Sequence, residues 1–245
     1  VADVSGKGVP GSLVMTITRT VVRLVANQNR SAKNVLVKVN NFVKEDMKKG
    51  MFVTAFYLVL DSLSRKINFA CAGHDPLLIY RAKEDKVYWV KPKGFPLGIS
   101  LPDDELFRTV MAEENVKLQK DDLLLIYTDG VTEAQNSKGG FFGEKRLLDT
   151  LNSLPPGASP KELLAGMQHA IDTFSAGAEQ ADDITLLCVK YCSPAGKCLE
   201  LDAVPEVLPK LLSWMGFNLD KAGLSQTAKT RISIAAEEIF VNIAR

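Results

Sequence analysis

The chain opens on a short apolar stretch, Val1-Ala2-Asp3-Val4, which breaks at Ser5-Gly6-Lys7-Gly8 and resumes as a long apolar-periodic segment. Leu13, Ile17, Val21 and Leu24 recur at helical spacing, which predicts a helix over 13–25 with that stripe turned inward. Asn27-Gln28-Asn29-Arg30 ends it. Ser31 can cap a second helix, whose stripe is Val35, Val39, Phe42 and Met47. From Met51 the period drops to two. Strands are expected over 53–60, through Ile67, Phe69 and Cys71, over 77–80 and over 86–90, and their short connecting turns imply antiparallel pairing. Two further strands are expected over 106–111 and 123–127; the second is nearly all apolar and belongs in the centre of a sheet. Helices follow over 147–154 and 160–174, the latter with Leu163, Leu164, Met167 and Ile171 inward, and a last strand runs over 184–191. Helices outside and strands between predict an α+β fold, a layered sandwich.

Past Ser193-Pro194-Ala195-Gly196-Lys197 the pattern changes, and 193–198 reads as a linker after a domain over 1–192. Leu199-Glu200-Leu201 resembles an edge strand, and helices are expected over 204–215 and 225–245. Residues 199–245 are too few to close a core of their own and read as the opening of a second domain. Val1 and Arg245 both fall inside patterned elements, so the chain is expected to be part of something longer.

Composition narrows the function classes. Hydrophobic residues make up 46% and charged residues 24%, as in an ordinary globular protein, and the formal net charge of +1 gives no basic field for nucleic acid. Cys71, Cys188, Cys192 and Cys198 form no CxxC pair. With only His74 and His169 beside them, a zinc site is disfavoured and reduced thiols in a cytoplasmic setting are expected. No apolar run reaches the roughly 18 residues of a membrane span within these residues, although a tethering segment upstream is compatible with the pattern.

Acids stand at three strand boundaries: Asp3, Asp129 and Asp182-Asp183. Asp129 follows an almost uniformly apolar strand, an expensive place for an unpaired carboxylate. Carboxylates without histidine or thiolate partners favour magnesium or manganese over zinc. Around Asp3, the Gly-Lys-Gly turn before a helix fits a hard-cation loop, a phosphate cradle or a plain strand–helix connection, but not the P-loop pattern, since Gly8 follows Lys7. His74 reads either as a general acid or as a turn residue donating to backbone, and Lys7 either as a contact to substrate or as a solvated loop lysine.

The segment Asp3-Val4-Ser5-Gly6-Lys7-Gly8-Val9-Pro10 resembles the second metal motif of the metal-dependent, protein phosphatase 2C-like serine phosphatases. The branch is that of the sporulation stage II E and sigma-factor regulatory enzymes. In the same order, 72–76 (AGHDP), 94–98 (GFPLG), 127–134 (YTDGVTEA), Phe142-Gly143 and 182–185 (DDIT) are similar to further motifs of that family. The resemblance implies an αββα sandwich of two antiparallel sheets flanked by helices, holding two Mn2+ or Mg2+ ions at one end. It implies Asp3 as the carboxylate bridging both ions, the Val4 carbonyl as a further ligand, Asp129 and Asp182 as ligands, and Asp183 one shell out. The reaction implied is in-line attack on phosphorus by a metal-activated water, without a phosphoenzyme. A Gly-Gly-Asp-type segment that precedes Asp3 in that family is absent from this sequence. The two helices after the first loop are implied to switch the site between metal-ready and metal-poor states.

The run Ala235-Ala236-Glu237-Glu238-Ile239-Phe240-Val241-Asn242 resembles the start of a histidine-kinase-like ATPase domain of the anti-sigma-factor serine kinase type. There Asn242 would hold the Mg2+ of ATP-Mg, and Glu238, one turn away, would act on the acceptor hydroxyl. The second domain is thus expected as the truncated start of an α/β ATPase fold. The implied partner is a phosphorylated anti-sigma-factor antagonist, and homodimerisation is compatible. The competing reading is a degenerate phosphatase that binds or sequesters that partner without turnover.

Overall fold

The computed structural model describes residues 1–6, 8–27, 31–48, 50–61, 64–155, 157–192 and 204–243. The chain divides into two compact units, Val1–Ser193 and Pro194–Arg245. In the first unit the order is β1 (Ala2–Val4), α1 (Val9–Ala26), α2 (Ala32–Val43), β2 (Val53–Asp61), β3 (Lys66–Ala72), β4 (Leu77–Arg81), β5 (Lys86–Val90), α3 (Asp104–Val110), β6 (Glu114–Lys117), β7 (Leu123–Tyr127), α4 (Asp129–Thr132), α5 (Gly143–Asn152), α6 (Pro160–Ser175) and β8 (Leu186–Lys190). The second unit contains a short 3-10 turn, Pro205–Val207, then α7 (Leu208–Lys221) and α8 (Gln226–Ile243).

The strands form two four-stranded sheets, ordered β1-β2-β3-β6 and β5-β4-β7-β8, with antiparallel pairing throughout. Burial separates into three layers, as the expected αββα sandwich requires. Phe56, Ile67, Phe69, Leu77, Leu124 and Ile126 fill the space between the sheets. Val35, Leu36, Val39, Val53, Phe107 and Met111 lie between the first sheet and its helices. Leu78, Leu125, Tyr127, Leu147, Leu163 and Met167 lie between the second sheet and its helices. Every residue of β7 is buried, which fits its central place between β4 and β8.

Helix starts follow local chemistry. The Ser31 hydroxyl accepts from the Asn34 N–H at 3.2 Å and caps α2, and Ser159 and Glu162 form a capping box on α6 with Pro160 in the first turn.

Several sequence expectations are corrected. The buried face of α1 is Gly11, Val14, Thr18 and Val25, while Leu13, Ile17 and Leu24 are exposed and only Val21 of the expected stripe packs on the core. The helix is apolar on both faces, so its period alone did not select one. By length and composition alone α1 could cross a membrane, but Arg19 and Arg23 interrupt its apolar run, as expected from the sequence, and one of its faces packs on the core. Phe42 of α2 is 62% exposed although Val35 and Val39 are buried. The strand expected over 106–111 is instead α3, because the Asp103 carboxylate accepts from the Glu105 N–H at 3.0 Å and starts a helix. The strand expected over 184–191 is shorter, and the helix expected from 204 begins at Leu208. The expected linker and the strand at 199–201 lie outside the described residues, as does the segment 28–30.

Candidate active site

Three loops from different parts of the chain meet at one end of the sandwich. The first follows β1. Asp3 stands opposite Thr54 of β2, and Ser5 extends that pairing: its N–H donates to the Phe52 carbonyl at 2.9 Å, and its hydroxyl accepts from the Phe52 N–H at 2.7 Å. The loop then folds back onto α1, where a Cβ on Gly11 would stand 2.6 Å from the Gly6 carbonyl oxygen. Glycine is therefore required at position 11 to let the turn reach the helix start.

The second and third loops are stitched to each other by Thr128. Its N–H donates to the Thr185 carbonyl at 3.1 Å, its hydroxyl donates to the Asp183 carbonyl at 3.0 Å, and it accepts from the Thr185 N–H at 3.0 Å. Asp129, next along, opens α4. Asp182 turns its carboxylate onto the Asp183 N–H at 2.8 Å, and the Gln180 amide donates to the Asp182 carbonyl at 2.8 Å.

Asp3, Asp129, Asp182 and Asp183 all line one cleft of about 840 Å³, together with Val4 and Thr54. Asp3 carries the electrostatic consequence. Partial burial raises its pKa, and the neighbouring Asp129 carboxylate raises it further, with Asp182 and Asp183 adding to the effect against the Val4 N–H. Like charges gathered on partly dehydrated carbonyl-rich loops call for a cation. Hard oxygen donors of this kind suit Mg2+ or Mn2+. By donor chemistry the residues fit such ions, although among the described residues no three Asp, Glu, His or Cys side chains converge closely enough to ligate one ion.

Sequence reasoning missed part of this arrangement. Thr128 and Thr54 are ordinary strand threonines by pattern, and only three-dimensional pairing reveals their place. Asp75 stands inside the 72–76 segment with no role assigned from sequence. Its pKa is pushed up to about 6, by burial first and then by Asp129, against the favourable charge of Lys91. His74 lies in the turn at 73–76, as expected, but its side chain is 2% exposed, with Nδ1 2.9 Å from the Thr54 hydroxyl. Burial, and then the positive charge at Val1, lower its pKa to about 4. Lys7 lies outside the described residues, and so do the side chains of Glu238 and Asn242 on α8.

Two facing antiparallel sheets, helices outside, and acidic loops at one end define a phosphatase fold of the PP2C type. Solved structures share it: the SiaA-PP2C domain of Pseudomonas aeruginosa aligns with a TM-score of 0.65 and 21% identity, covering 78% of this chain and 73% of that one. The RsbU and RsbW domains of Rv1364c from Mycobacterium tuberculosis align with a TM-score of 0.61 and 23% identity, covering 100% of this chain and 67% of that one. The family model of Stage II sporulation protein E (SpoIIE) matches residues 1–191, and the chain belongs to that family. Phosphoserine phosphatase RsbU of Bacillus subtilis (strain 168) is 27% identical over 190 residues, 78% of this chain and 54% of RsbU, so the chain spans about half the length of this relative.

Proposed function

We propose that the first unit is a metal-dependent protein phosphatase that hydrolyses phosphoserine or phosphothreonine on a regulatory protein, an anti-sigma-factor antagonist in a partner-switching pathway. The observation that carries this reading is the meeting of Asp3, Asp129 and Asp182, from three separate loops, on a single cleft. Asp3 would bridge two Mn2+ or Mg2+ ions, with the Val4 carbonyl, Asp129 and Asp182 as further ligands and Asp183 behind them. Such ions acidify water and neutralise phosphoryl oxygens. The chain's own contribution is to hold the three carboxylates on rigid strand ends, through the Ser5–Phe52 and Thr128–Thr185 hydrogen bonds. The similarity to an enzyme described as a phosphoserine phosphatase supports the substrate class.

The second unit is proposed as the opening of a serine-kinase-like ATPase domain, with Glu238 and Asn242 acting on ATP-Mg. Support comes from alignment of the whole chain with a protein described as having RsbU and RsbW domains. A fusion of this kind would put opposing activities on one antagonist, in the cytoplasm.

A second reading is favoured by the lack of a ready-made three-ligand cluster among the described residues: a degenerate phosphatase that binds the antagonist without turnover. Calorimetric titration of the full chain with MnCl2 separates the two. The phosphatase reading predicts saturable Mn2+ binding that is weakened in Asp129→Asn. Partner binding without any Mn2+ binding would establish the degenerate one.

A further inference from the structure

The turn at 73–76 carries the chain from β3 in the first sheet to β4 in the second, and His74 sits at this crossing with 2% exposure. On one side its Nδ1 is 2.9 Å from the hydroxyl of Thr54, the residue paired across the strands with Asp3. On the other, the Tyr127 carbonyl favours a proton on the ring, and Tyr127 ends β7 two residues before Asp129. Nδ1 faces Thr54, so that acceptor is left to Nε2. A proton on Nε2 makes Nδ1 the acceptor of the Thr54 hydroxyl. Yet Nε2 is fully enclosed and makes no well-formed hydrogen bond. A buried polar atom without a partner is costly, and this one belongs to a ring bonded to Thr54, which lines the cleft together with Asp3 and Asp129.

We propose that His74 is a positioning residue for the candidate metal centre: it holds Thr54 behind Asp3 on one sheet and closes its Nε2–H onto the Tyr127 carbonyl of the other sheet when a divalent cation draws Asp3 and Asp129 together. This rests on the metal-dependent reading above. The role matches the outer-shell residues of metal sites, which set ligand orientation without touching the ion and whose loss typically lowers metal affinity about 10–100-fold.

The test uses the full chain with 15N-labelled histidine, since His74 is buried and His169 is exposed and serves as internal reference. Added Mg2+ is expected to move the His74 Nε2–H proton downfield and slow its exchange, leaving His169 unchanged. In parallel, Mn2+ binding followed by electron paramagnetic resonance is expected to weaken about 10–100-fold in His74→Phe, which keeps a ring in place. Thr54→Val should weaken it similarly, while Thr54→Ser keeps the hydroxyl and wild-type affinity. Should His74→Phe fail to fold, the Thr54 pair and the wild-type spectra decide. An Nε2–H signal indifferent to Mg2+, or wild-type Mn2+ affinity in folded His74→Phe and Thr54→Val, overturns the assignment. If Asp129→Asn nevertheless weakens Mn2+ binding, only the role of His74 falls; if Asp129→Asn also binds like wild type, the metal-dependent reading falls with it.

Discussion

At Gly130 the backbone after β7 comes so close to the third acidic loop that a Cβ would lie 2.3 Å from the Asp183 carbonyl oxygen. Gly130→Ala must therefore push α4 away from Asp182 and Asp183. Its expected cost is about 1–3 kcal/mol of stability, read by denaturant unfolding, together with weaker Mn2+ binding. Two groups of the 73–76 turn, buried His74 and half-buried Asp75, give opposite pH dependences. His74 stays uncharged down to about pH 4 in the fold, against an ordinary value of 6.5, so the unfolded chain binds more protons between those values. Its contribution to stability is complete above about pH 6.5 and is lost as pH falls toward 4. Asp75 shifts from 3.8 up to about 6, so here the folded state binds the extra proton, and stability declines as pH rises through that interval. Without metal, Asp75→Asn is expected to steepen the acid-side loss of stability between pH 6 and 4, and His74→Phe to flatten or invert it. Urea unfolding at a series of pH values checks both signs; an unchanged slope in either variant contradicts its assigned shift.

Among the elements, those with strong local signals were legible in advance. β7 is apolar at every position and is central, α2 announces itself through Ser31, and the short turns within β2–β3 and β4–β5 imply the antiparallel pairing found there, whereas β3 and β4, expected to continue one sheet, fall in different sheets. Where two faces are equally apolar the pattern carries no choice. In α1 the burial of Gly11, Val14 and Thr18 follows from the approach of Gly11 to the Gly6 carbonyl, a contact that spacing cannot display. β6 was not foreseen because Glu114, Asn115 and Lys117 are polar and only Val116 faces the core, as suits an edge strand. The acids were legible because each stands at a strand end; their convergence, and the threonines that enforce it, depend on pairings more than 50 residues apart, as with Thr128 and Asp183. A clasp at β4 makes a separate prediction. Asp122, 1% exposed, accepts from Arg81 at 2.5 Å and from the Gln119 N–H at 2.8 Å, while Arg81 also reaches the Lys117 carbonyl of β6 in the other sheet. Asp122→Ala leaves Arg81 without its partner and is expected to cost about 3–5 kcal/mol in unfolding experiments with little change in Mn2+ affinity. Phe42→Ala, by contrast, removes an exposed ring and should change stability by no more than about 0.5 kcal/mol.

For the molecule as a whole, the sandwich serves to bring loops from β1, β7 and the segment before β8 to one edge, which no single element can do. In the described part of the second unit no residue of α7 is buried, and Phe217, Ile232 and Ile234 are exposed, so the proposal of a kinase-like role for it rests on the resemblance of α8 and on the whole-chain alignment. The central claim concerns the first unit: the cleft lined by Asp3, Asp129 and Asp182 hydrolyses a phosphoserine protein with the help of divalent ions. Its most direct test is phosphate release from a serine-phosphorylated anti-sigma-factor antagonist, measured for the full-length protein with and without MnCl2 and repeated with Asp129→Asn. The account predicts release that requires Mn2+ or Mg2+ and falls more than about a hundredfold in Asp129→Asn. Absence of turnover with either ion, or turnover that Asp129→Asn leaves untouched, would contradict it.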